Sequence, residues 1–221
     1  RRVTEEGGAA AAAAGTDRHA WMRARGCGLG YLVRSLPFSF RAGRARGIDL
    51  RAVGSGNLGA ANAFRALGRS TGIAVLLADV GKGVLAVVIA RAITDDPWPA
   101  IAAGAAMAGH VFPVWLRFKG GKGVAVGGGA VIALMPLASV ILLGLWLVVA
   151  VVSRYTSLAS VTSAVVATPL VWLMGYPTAD VVFAAIAAVA VVVLHRGNLR
   201  RLASGTERRL TLSGRGTPRG A

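Results

Sequence analysis

Long runs of apolar residues dominate this chain, and short polar stretches separate them. The runs occupy 72–93, 98–116, 124–152, 156–174 and 179–194. A helix needs about 20 apolar residues to cross a bilayer, and most of these runs approach or exceed that length. Charged residues lie between the runs instead of alternating with apolar positions, as they would on an amphipathic soluble helix. The pattern predicts an all-α, polytopic transmembrane helical bundle.

The number of crossings follows from the lengths of the runs. As a single helix with a rise of about 1.5 Å per residue, the run 124–152 would reach roughly 43 Å, which exceeds the hydrocarbon core of about 30 Å. Two crossings that meet near Met135–Pro136 are therefore predicted. A turn at 175–177 divides the last two runs. With the stretch 27–40, which Arg34 interrupts, the total is about seven spans, the first of them weak.

The positive charge of the chain is concentrated between the apolar runs. The formal net charge is +16 and the mean hydropathy is +0.61. Basic residues cluster in 41–71, 117–123 and 195–221, whereas acidic residues mark the turns at 95–96 and 180. Lys and Arg are enriched in cytoplasmic loops, so the three basic segments are assigned to the cytoplasm. No helix-turn-helix, zinc-finger or RNP-like pattern accompanies them, and no nucleic-acid partner is expected.

Composition divides the chain into three regions. Residues 1–25 are rich in Ala and Gly and predict a disordered N-terminal extension. Residues 26–210 form the membrane domain, and 211–221 are expected to be a disordered basic tail. Cys27, the only cysteine, lacks the Cys and His neighbours of a metal site, so no metal and no other cofactor is expected.

The first candidate motif is GSGNLGAANAFRALGR, residues 54–69. Its glycines let backbone N–H groups approach an anion, its small polar side chains offer hydrogen bonds, and its arginine matches a phosphate. These positions are Gly54, Ser55, Gly56, Asn57, Gly59, Asn62 and Arg65. A flexible turn between two helices is the alternative, but it requires less hydrogen-bonding capacity. Phosphate binding is the favoured interpretation.

The second motif, GHVFPVWLRFKGGKGVAVGGG, spans 109–129 and is more specific. It fits neither a Walker P-loop nor a dinucleotide-binding GxGxxG. It places Lys119 and Lys122 in a bend with Gly120, Gly121 and Gly123, where ammonium and N–H groups suit a doubly charged phosphate. The alternative is an ordinary basic loop, which would need no glycines.

Asp79, Lys82 and His110 are ionisable residues inside the predicted spans. His110 is a functional candidate near the cytoplasmic end of the third span, with a hydrogen bond to a neighbouring helix as the alternative. Asp79 and Lys82 are three residues apart, hence on one helix face, and are interpreted as a structural pair.

The third motif combines SRYTSLAS (153–160) with HRGNLRRLASGTE (195–207). Small polar groups again accompany arginines, at Ser157, Ser160, His195, Asn198 and Glu207. A basic tail lying on anionic lipid would explain the arginines but not Asn198 or Glu207.

Four strings, GSGNLGAANAFR, GHVFPVWLRFKGGKGVA, RYTSLAS and HRGNLRRLASGTE, occur in this order. They closely resemble the motifs of the bacterial PlsY-type acyl-phosphate:glycerol-3-phosphate acyltransferases, over about residues 31–210. The resemblance implies a seven-span enzyme of the bacterial inner membrane, with an extracytoplasmic N-terminus and an active site that faces the cytoplasm. The implied reaction moves a fatty acyl group from acyl phosphate to the 1-hydroxyl of glycerol 3-phosphate. Its products, lysophosphatidic acid and phosphate, belong to phospholipid synthesis.

The family's functional residues carry over to individual positions of this chain. They are Ser55, Arg65, His110, Lys122, Ser157, Asn198 and Glu207. Of these, Ser55, His110 and Lys122 are the expected catalytic residues. With the remaining motif positions, the expected substrate-binding residues are Gly54, Gly56, Asn57, Gly59, Asn62, Arg65, Lys119, Gly120, Gly121, Gly123, Ser157, Ser160, His195, Asn198 and Glu207. The chain departs from the family at Leu58 and Ala61, where Pro and Thr are usual, and at Arg34 and Ser39, where glycines are expected.

The expected mechanism is direct transfer without an acyl-enzyme, because phosphate is a good leaving group. No Ser-His-Asp set is apparent in the sequence, and it contains no HxxxxD pair. Arg65 and Lys122 are expected to hold the phosphates, and Ser157 and Asn198 to orient glycerol 3-phosphate. Either His110 or a phosphate oxygen of the substrate accepts the hydroxyl proton.

The expected partners are acyl phosphate, glycerol 3-phosphate, membrane lipid and the enzyme that makes acyl phosphate. A small transporter or channel for an anionic phosphorylated solute is the alternative, since basic glycine-rich loops also suit a vestibule. Polar residues spread through the spans would favour a transporter. They are scarce, and the candidate chemistry gathers at one surface.

Overall fold

The computed structural model describes residues 37–210, and within this range the chain is all α, as predicted, with no strand. A 3-10 turn, Val114–Leu116, follows the fourth helix. The helices are α1 Phe38–Arg44, α2 Ala60–Leu67, α3 Arg69–Ile93, α4 Trp98–Val111, α5 Val124–Leu134, α6 Pro136–Ser153, α7 Thr156–Leu173, α8 Thr178–Leu194 and α9 Arg196–Ala203. The predicted disordered segments 1–25 and 211–221, and most of the weak first span, lie outside the described residues.

Four segments of the described chain are long and apolar enough to cross a membrane: α3, α4 with the turn that follows it, α6 and α7. A fifth crossing results if α8 and α9, which meet at 55°, are counted together. Helix α5 is apolar but has only 11 residues. The helices thus occupy the predicted runs, whereas the total of seven crossings stays a prediction.

The helices alternate in direction, so their connections gather at two ends of the bundle. We call one the basic end; it contains residues 37–68, 112–123, 154–155 and 195–210. At the opposite end, α3 stops before the acidic turn at 94–97, and α5 stops at Met135, where Pro136 prevents a continuous helix. The predicted break at Met135–Pro136 is confirmed.

Glycines allow α3 and α5 to pack in close contact. A Cβ on Gly83 would overlap the backbone of Val126 and Ala130. A Cβ on Gly129 would overlap the backbone of Val80 in the same way. Small residues that let helix backbones approach are the usual means of helix association in a bilayer. Part of the glycine-rich second motif therefore serves packing rather than loop flexibility.

The short helix α5 starts well inside the bundle. Its contacts with Gly83 place its first turn beside the Asp79–Lys82 turn of α3, about 15 Å along α3 from Arg69 at about 1.5 Å per residue. At its other end, Arg91 donates to the carbonyls of Ala133 at 2.6 Å and Leu134 at 3.1 Å. These bonds satisfy helix C-terminal carbonyls that have no intrahelical partner. The loop before α5 accordingly enters the bundle as far as the Asp79–Lys82 turn of α3.

Two segments expected to be loop or tail contain helices. The basic stretch 41–71 includes α2, which buries one face and packs Phe64 against Gly72 of α3. The segment after His195 begins with α9. Each helix has only eight residues. An amphipathic segment of two turns gives too short a periodic pattern to stand out between long apolar runs.

Candidate active site

Asn62 holds the first motif in a defined loop. Its side chain is 1% exposed. The Oδ1 atom accepts a hydrogen bond from the Ser55 N–H at 3.0 Å, and Nδ2 donates to the carbonyls of Leu50 at 3.0 Å and Val53 at 3.1 Å. A Cβ on Gly54, which has φ +65°, would overlap this amide. Asn62, expected to bind ligand, instead directs its amide atoms to the loop backbone.

The remaining groups of the first motif lie at the surface of the basic end. Ser55, Gly54 and Gly56 are exposed, and Gly56 has φ +68°. Asn57 packs its amide over Gly59, which precedes α2.

Arg65, in α2, lies near two charged residues of the C-terminal segment, Glu207 and Arg208. Partial desolvation lowers the pKa of its guanidinium, Arg208 lowers it further, and Glu207 opposes both effects. The arginine remains charged and lies within electrostatic reach of Glu207.

The glycines of the second motif fold back onto the end of α4. The Gly120 N–H donates to the Val111 carbonyl at 3.1 Å, and the Gly121 N–H donates to the His110 carbonyl at 3.2 Å. A side chain on Gly120 would overlap these carbonyls, and one on Gly121 would overlap the His110 ring. Gly123, with φ +77°, starts α5. Glycine is required at 120 and 121 because α4 leaves no room for a Cβ there, and at 123 because the backbone has a positive φ.

Glu207 is the centre of a cluster at the basic end. Its Oε1 accepts hydrogen bonds from Ser157 Oγ at 2.8 Å and Asn198 Nδ2 at 2.5 Å, and its Oε2 accepts from Arg201 Nε at 2.8 Å. Burial would raise the pKa of Glu207, but these hydrogen bonds outweigh burial and hold it below the usual value. The carboxylate is therefore ionised and joins α7, α9 and the segment after α9.

Lys122 extends this cluster from the glycine loop. Its Nζ donates a hydrogen bond to Asn198 Oδ1. Burial lowers the pKa of Lys122 to about 8; Glu207 raises the pKa and Arg201 lowers it again. Three segments that are distant in sequence, one from the second motif and two from the third, thus meet through the Lys122–Asn198–Glu207–Ser157 cluster, which we call the clamp.

Three predicted ligand-binding residues do not share the clamp's hydrogen bonds. Ser160 is turned into the bundle, where it donates to the Thr156 carbonyl at 2.8 Å and accepts from Trp146 Nε1 at 3.1 Å. His195 is 4% exposed, and its Nδ1 lies 2.8 Å from the Val191 carbonyl. Lys119 is exposed; its backbone N–H donates to the Leu116 carbonyl at 3.1 Å, and its side chain makes no hydrogen bond or ion pair within residues 37–210. Their contact with substrate stays a prediction.

His110 belongs to a second buried group. Its Nδ1 is 3.5 Å from Asp79 Oδ1, and the same oxygen accepts a hydrogen bond from Lys82 Nζ at 3.2 Å. The predicted Asp79–Lys82 pair is confirmed, but it also includes a histidine from another helix. These three residues line a small pocket together with Phe38, Leu58, Pro113, Leu116, Gly120 and Gly121.

Two residues that contact the predicted site residues are not among those predicted from the sequence. Arg201 was one of many tail arginines, and only the structure selects it as the partner of Glu207. The sequence predicts only Lys82 as the partner of Asp79, because a single sequence does not indicate which neighbouring helix the Asp79 side chain faces; the structure adds His110.

The site has the chemistry of an anion-binding surface. Cations come from Lys122, Arg65 and Arg201, and glycine-rich loops stand beside them. Within residues 37–210, no group of three or more His, Cys, Asp or Glu side chains is placed to bind a metal. The arrangement suits phosphate groups, which such loops and cations recognise through charge-assisted hydrogen bonds.

Comparison with known proteins gives consistent matches. The family model described as glycerol-3-phosphate acyltransferase matches residues 26–205. The glycerol-3-phosphate acyltransferase of Rubrobacter xylanophilus is 47% identical over 182 residues, covering 82% of this chain and 92% of that protein. The enzyme of the same name from Synechococcus sp. strain CC9902 is 43% identical over 189 residues, covering 85% and 94%.

Two solved structures share the fold. The crystal structure of PlsY, an integral membrane glycerol 3-phosphate acyltransferase, in its glycerol 3-phosphate form, matches with a TM-score of 0.82 and 34% identity. It covers 86% of this chain and 96% of that one. The lysophosphatidic acid form matches with a TM-score of 0.80 and 33% identity, over the same shares of the two chains.

Proposed function

This chain belongs to the glycerol-3-phosphate acyltransferase family, and we propose that it takes its acyl group from acyl phosphate. It is a multi-pass membrane acyltransferase. The acceptor is the 1-hydroxyl of glycerol 3-phosphate, and the products are lysophosphatidic acid and inorganic phosphate. The enzyme that makes acyl phosphate is the partner that supplies the donor.

The observation that carries this proposal is the convergence of three separate segments of the second and third motifs on the clamp. Lys122 comes from the glycine loop, Ser157 from the first turn of α7, and Asn198 from α9, with Glu207 bonded to the last two. A cation whose partner is a neutral amide, Asn198, can exchange that partner for a phosphate oxygen at little cost. We assign Lys122 and Arg65 to the substrates' phosphates, and Ser157 and Asn198 to the orientation of glycerol 3-phosphate.

The proposed reaction is a direct displacement. The oxygen of the 1-hydroxyl attacks the acyl carbon, the bond from that carbon to the phosphate oxygen breaks, and the hydroxyl proton passes to a base. Phosphate leaves with the electron pair of the broken bond, so no acyl-enzyme is required. The site contributes by holding two anionic substrates together and by stabilising the charge on the leaving phosphate.

We place the active site on the cytoplasmic face of the bacterial inner membrane, because the clamp lies at the basic end. A single cysteine at Ser70, in a Cys27→Ala background, should be shielded from an impermeant thiol reagent in intact cells. A cysteine in the acidic turn serves as the accessible control. Labelling at position 70 before lysis would reverse the proposed orientation.

Purified protein with acyl phosphate and labelled glycerol 3-phosphate tests the reaction. We expect labelled lysophosphatidic acid with acyl phosphate, and no comparable turnover with acyl-CoA or acyl carrier protein. Equal turnover with acyl-CoA would refute the proposed donor.

Lys122→Ala should lower kcat/KM by roughly 30-fold to several thousand-fold, which corresponds to about 2 to 5 kcal/mol for a buried charge left unpaired. Uptake of glycerol 3-phosphate into vesicles without acyl transfer would instead indicate the transporter class.

A further inference from the structure

The segment that follows α9 carries Glu207 and crosses back over the start of α7. We call residues 204–210 the strap. At its first end, the N–H groups of Thr206 and Glu207 both donate to the Arg201 carbonyl, at 2.8 and 3.1 Å. Gly205, with φ +70°, provides the left-handed residue with which helices commonly end. The strap therefore leaves α9 in a fixed turn.

The second end of the strap is attached to the two-residue linker between α6 and α7. The Leu210 N–H donates to the Arg154 carbonyl at 2.6 Å. Arg209 Nε donates to Tyr155 Oη at 3.3 Å, and its guanidinium lies 5.8 Å from the centre of the Tyr155 ring. The linker is itself held, because the Tyr155 N–H donates to Ser153 Oγ at 3.1 Å. A cation at this distance from an aromatic face is attracted to it.

The contacts of the strap with residues 154–157 follow one antiparallel register. The contacting pairs are Glu207 with Ser157, Arg209 with Tyr155, and Leu210 with Arg154. Each step forward along the strap therefore matches one step back towards the linker. A slip of one residue would bring Thr206 or Arg208 opposite Ser157, and neither side chain is a carboxylate.

We propose that Tyr155 and Arg209 are positioning residues, whose contact fixes the register of the strap and thereby holds Glu207 in the clamp. They act through Glu207 and not on the substrate. When the strap is released, Ser157 and Asn198 lose the carboxylate that both of them bind. This inference rests on the proposed acyl transfer, in which these two residues orient glycerol 3-phosphate.

A basic segment lying on anionic lipid is the competing explanation for Arg208 and Arg209. Lipid attraction needs only positive charge near the membrane surface. It requires neither an aromatic partner for Arg209 nor a fixed pairing between the strap and residues 154–157. The common register of side-chain and backbone contacts favours a positioning role.

The first test compares KM with kcat. If only the molecules with a fastened strap bind glycerol 3-phosphate, KM rises as their fraction falls, while saturating substrate restores kcat. Tyr155→Ala should raise KM for glycerol 3-phosphate about 2- to 5-fold, the range for losing an exposed cation–π contact, with kcat nearly unchanged. Tyr155→Phe keeps the ring face and should largely restore the wild-type KM.

Arg209→Ala should raise KM to a similar extent, and the Tyr155→Ala/Arg209→Ala double variant should show no further rise, because both changes remove one contact. Arg200→Ala is the matched control, since it removes the same charge from an exposed position of α9 outside the strap. The control should keep the wild-type KM. Multiplicative rises in the double variant, an equal rise in the control, or a loss of kcat alone would overturn the proposal.

The second test is amide hydrogen exchange without substrate, which does not depend on activity. In Tyr155→Ala, peptides from the strap should exchange faster, because the Leu210 N–H loses its stable acceptor, while peptides from α3 and α8 keep their wild-type rates. Arg209→Ala, at an exposed side chain, gives the same test from the other partner. Wild-type exchange of the strap in both variants would refute the proposal. If the wild-type enzyme does not transfer acyl groups from acyl phosphate, the proposed function fails, and the exchange rates still decide whether this contact fastens the strap.

Discussion

Glu207→Gln is the substitution that most directly tests how the clamp is held. The change keeps the size of the side chain but replaces one carboxylate oxygen with an amide NH₂ group. If the remaining oxygen still accepts from Ser157 and Asn198, the new amide faces Arg201, whose Nε is also a donor. One charge-assisted hydrogen bond of 2.8 Å is then lost and two donors oppose each other.

The expected magnitude follows from that single bond. A hydrogen bond to a charged group contributes about 1.5 to 3 kcal/mol. At about 1.36 kcal/mol per decade, kcat/KM should fall roughly 10- to 150-fold. Glu207→Ala should lower it further, because Asn198 then loses the acceptor that keeps its amide oxygen directed at Lys122.

The assay is initial-rate acyl transfer on purified protein, normalised to the amount of monodisperse enzyme. Asp49→Asn is a suitable control, since it removes a carboxylate at the same end of the bundle whose salt-bridge partner within residues 37–210 is the exposed Arg51. We expect the control to retain kcat/KM. A Glu207→Gln enzyme with wild-type kcat/KM would show that the clamp does not need its carboxylate, and the proposed role of Asn198 would then lose its basis.

Two further predictions concern protonation and packing. Because the pKa of Lys122 is lowered to about 8, its ammonium is about one-tenth populated at pH 9, so KM for glycerol 3-phosphate should rise about tenfold per pH unit above 8. Lys122→Arg, which stays charged, should lose this alkaline rise in KM; the same rise in the variant would contradict the assignment. Gly129→Ala should lower the unfolding temperature in detergent, since overpacking costs about 1 to 3 kcal/mol where α5 meets α3. Gly128→Ala, at an exposed position of α5 with open space for a Cβ, should leave that temperature unchanged or raise it, and equal losses would contradict the packing argument.

The helical architecture could be predicted from sequence because hydrophobic length acts locally. A bilayer requires each crossing to satisfy its backbone hydrogen bonds within the segment, so long apolar runs indicate helices directly. The break at Met135–Pro136 was equally predictable, since proline lacks an N–H and restricts its predecessor. The short α2 and α9 were missed because two turns of an amphipathic helix carry little periodic signal.

Local composition also indicated most of the site, but not which groups bind one another. Glycine, lysine and arginine in a bend predict an anion site whatever surrounds them. Asn62 shows the limit of that reasoning: its residue type suits a ligand, and the fold uses its amide to hold residues 50–55. Only the path of the backbone determines whether a polar side chain faces the loop or the substrate.

The tertiary structure alone decided the pairings between distant segments. Lys122 and Asn198 are 76 residues apart, and Ser157 and Glu207 are 50 apart. Asp79 meets His110 only because α3 and α4 pack at that level, and α5 lies against α3 inside the bundle because Gly83 and Gly129 leave room for its backbone. Helix formation depends on neighbours along the chain, which a sequence displays. The relative depth and rotation of packed helices depend on contacts between segments, and one sequence does not specify which contacts form.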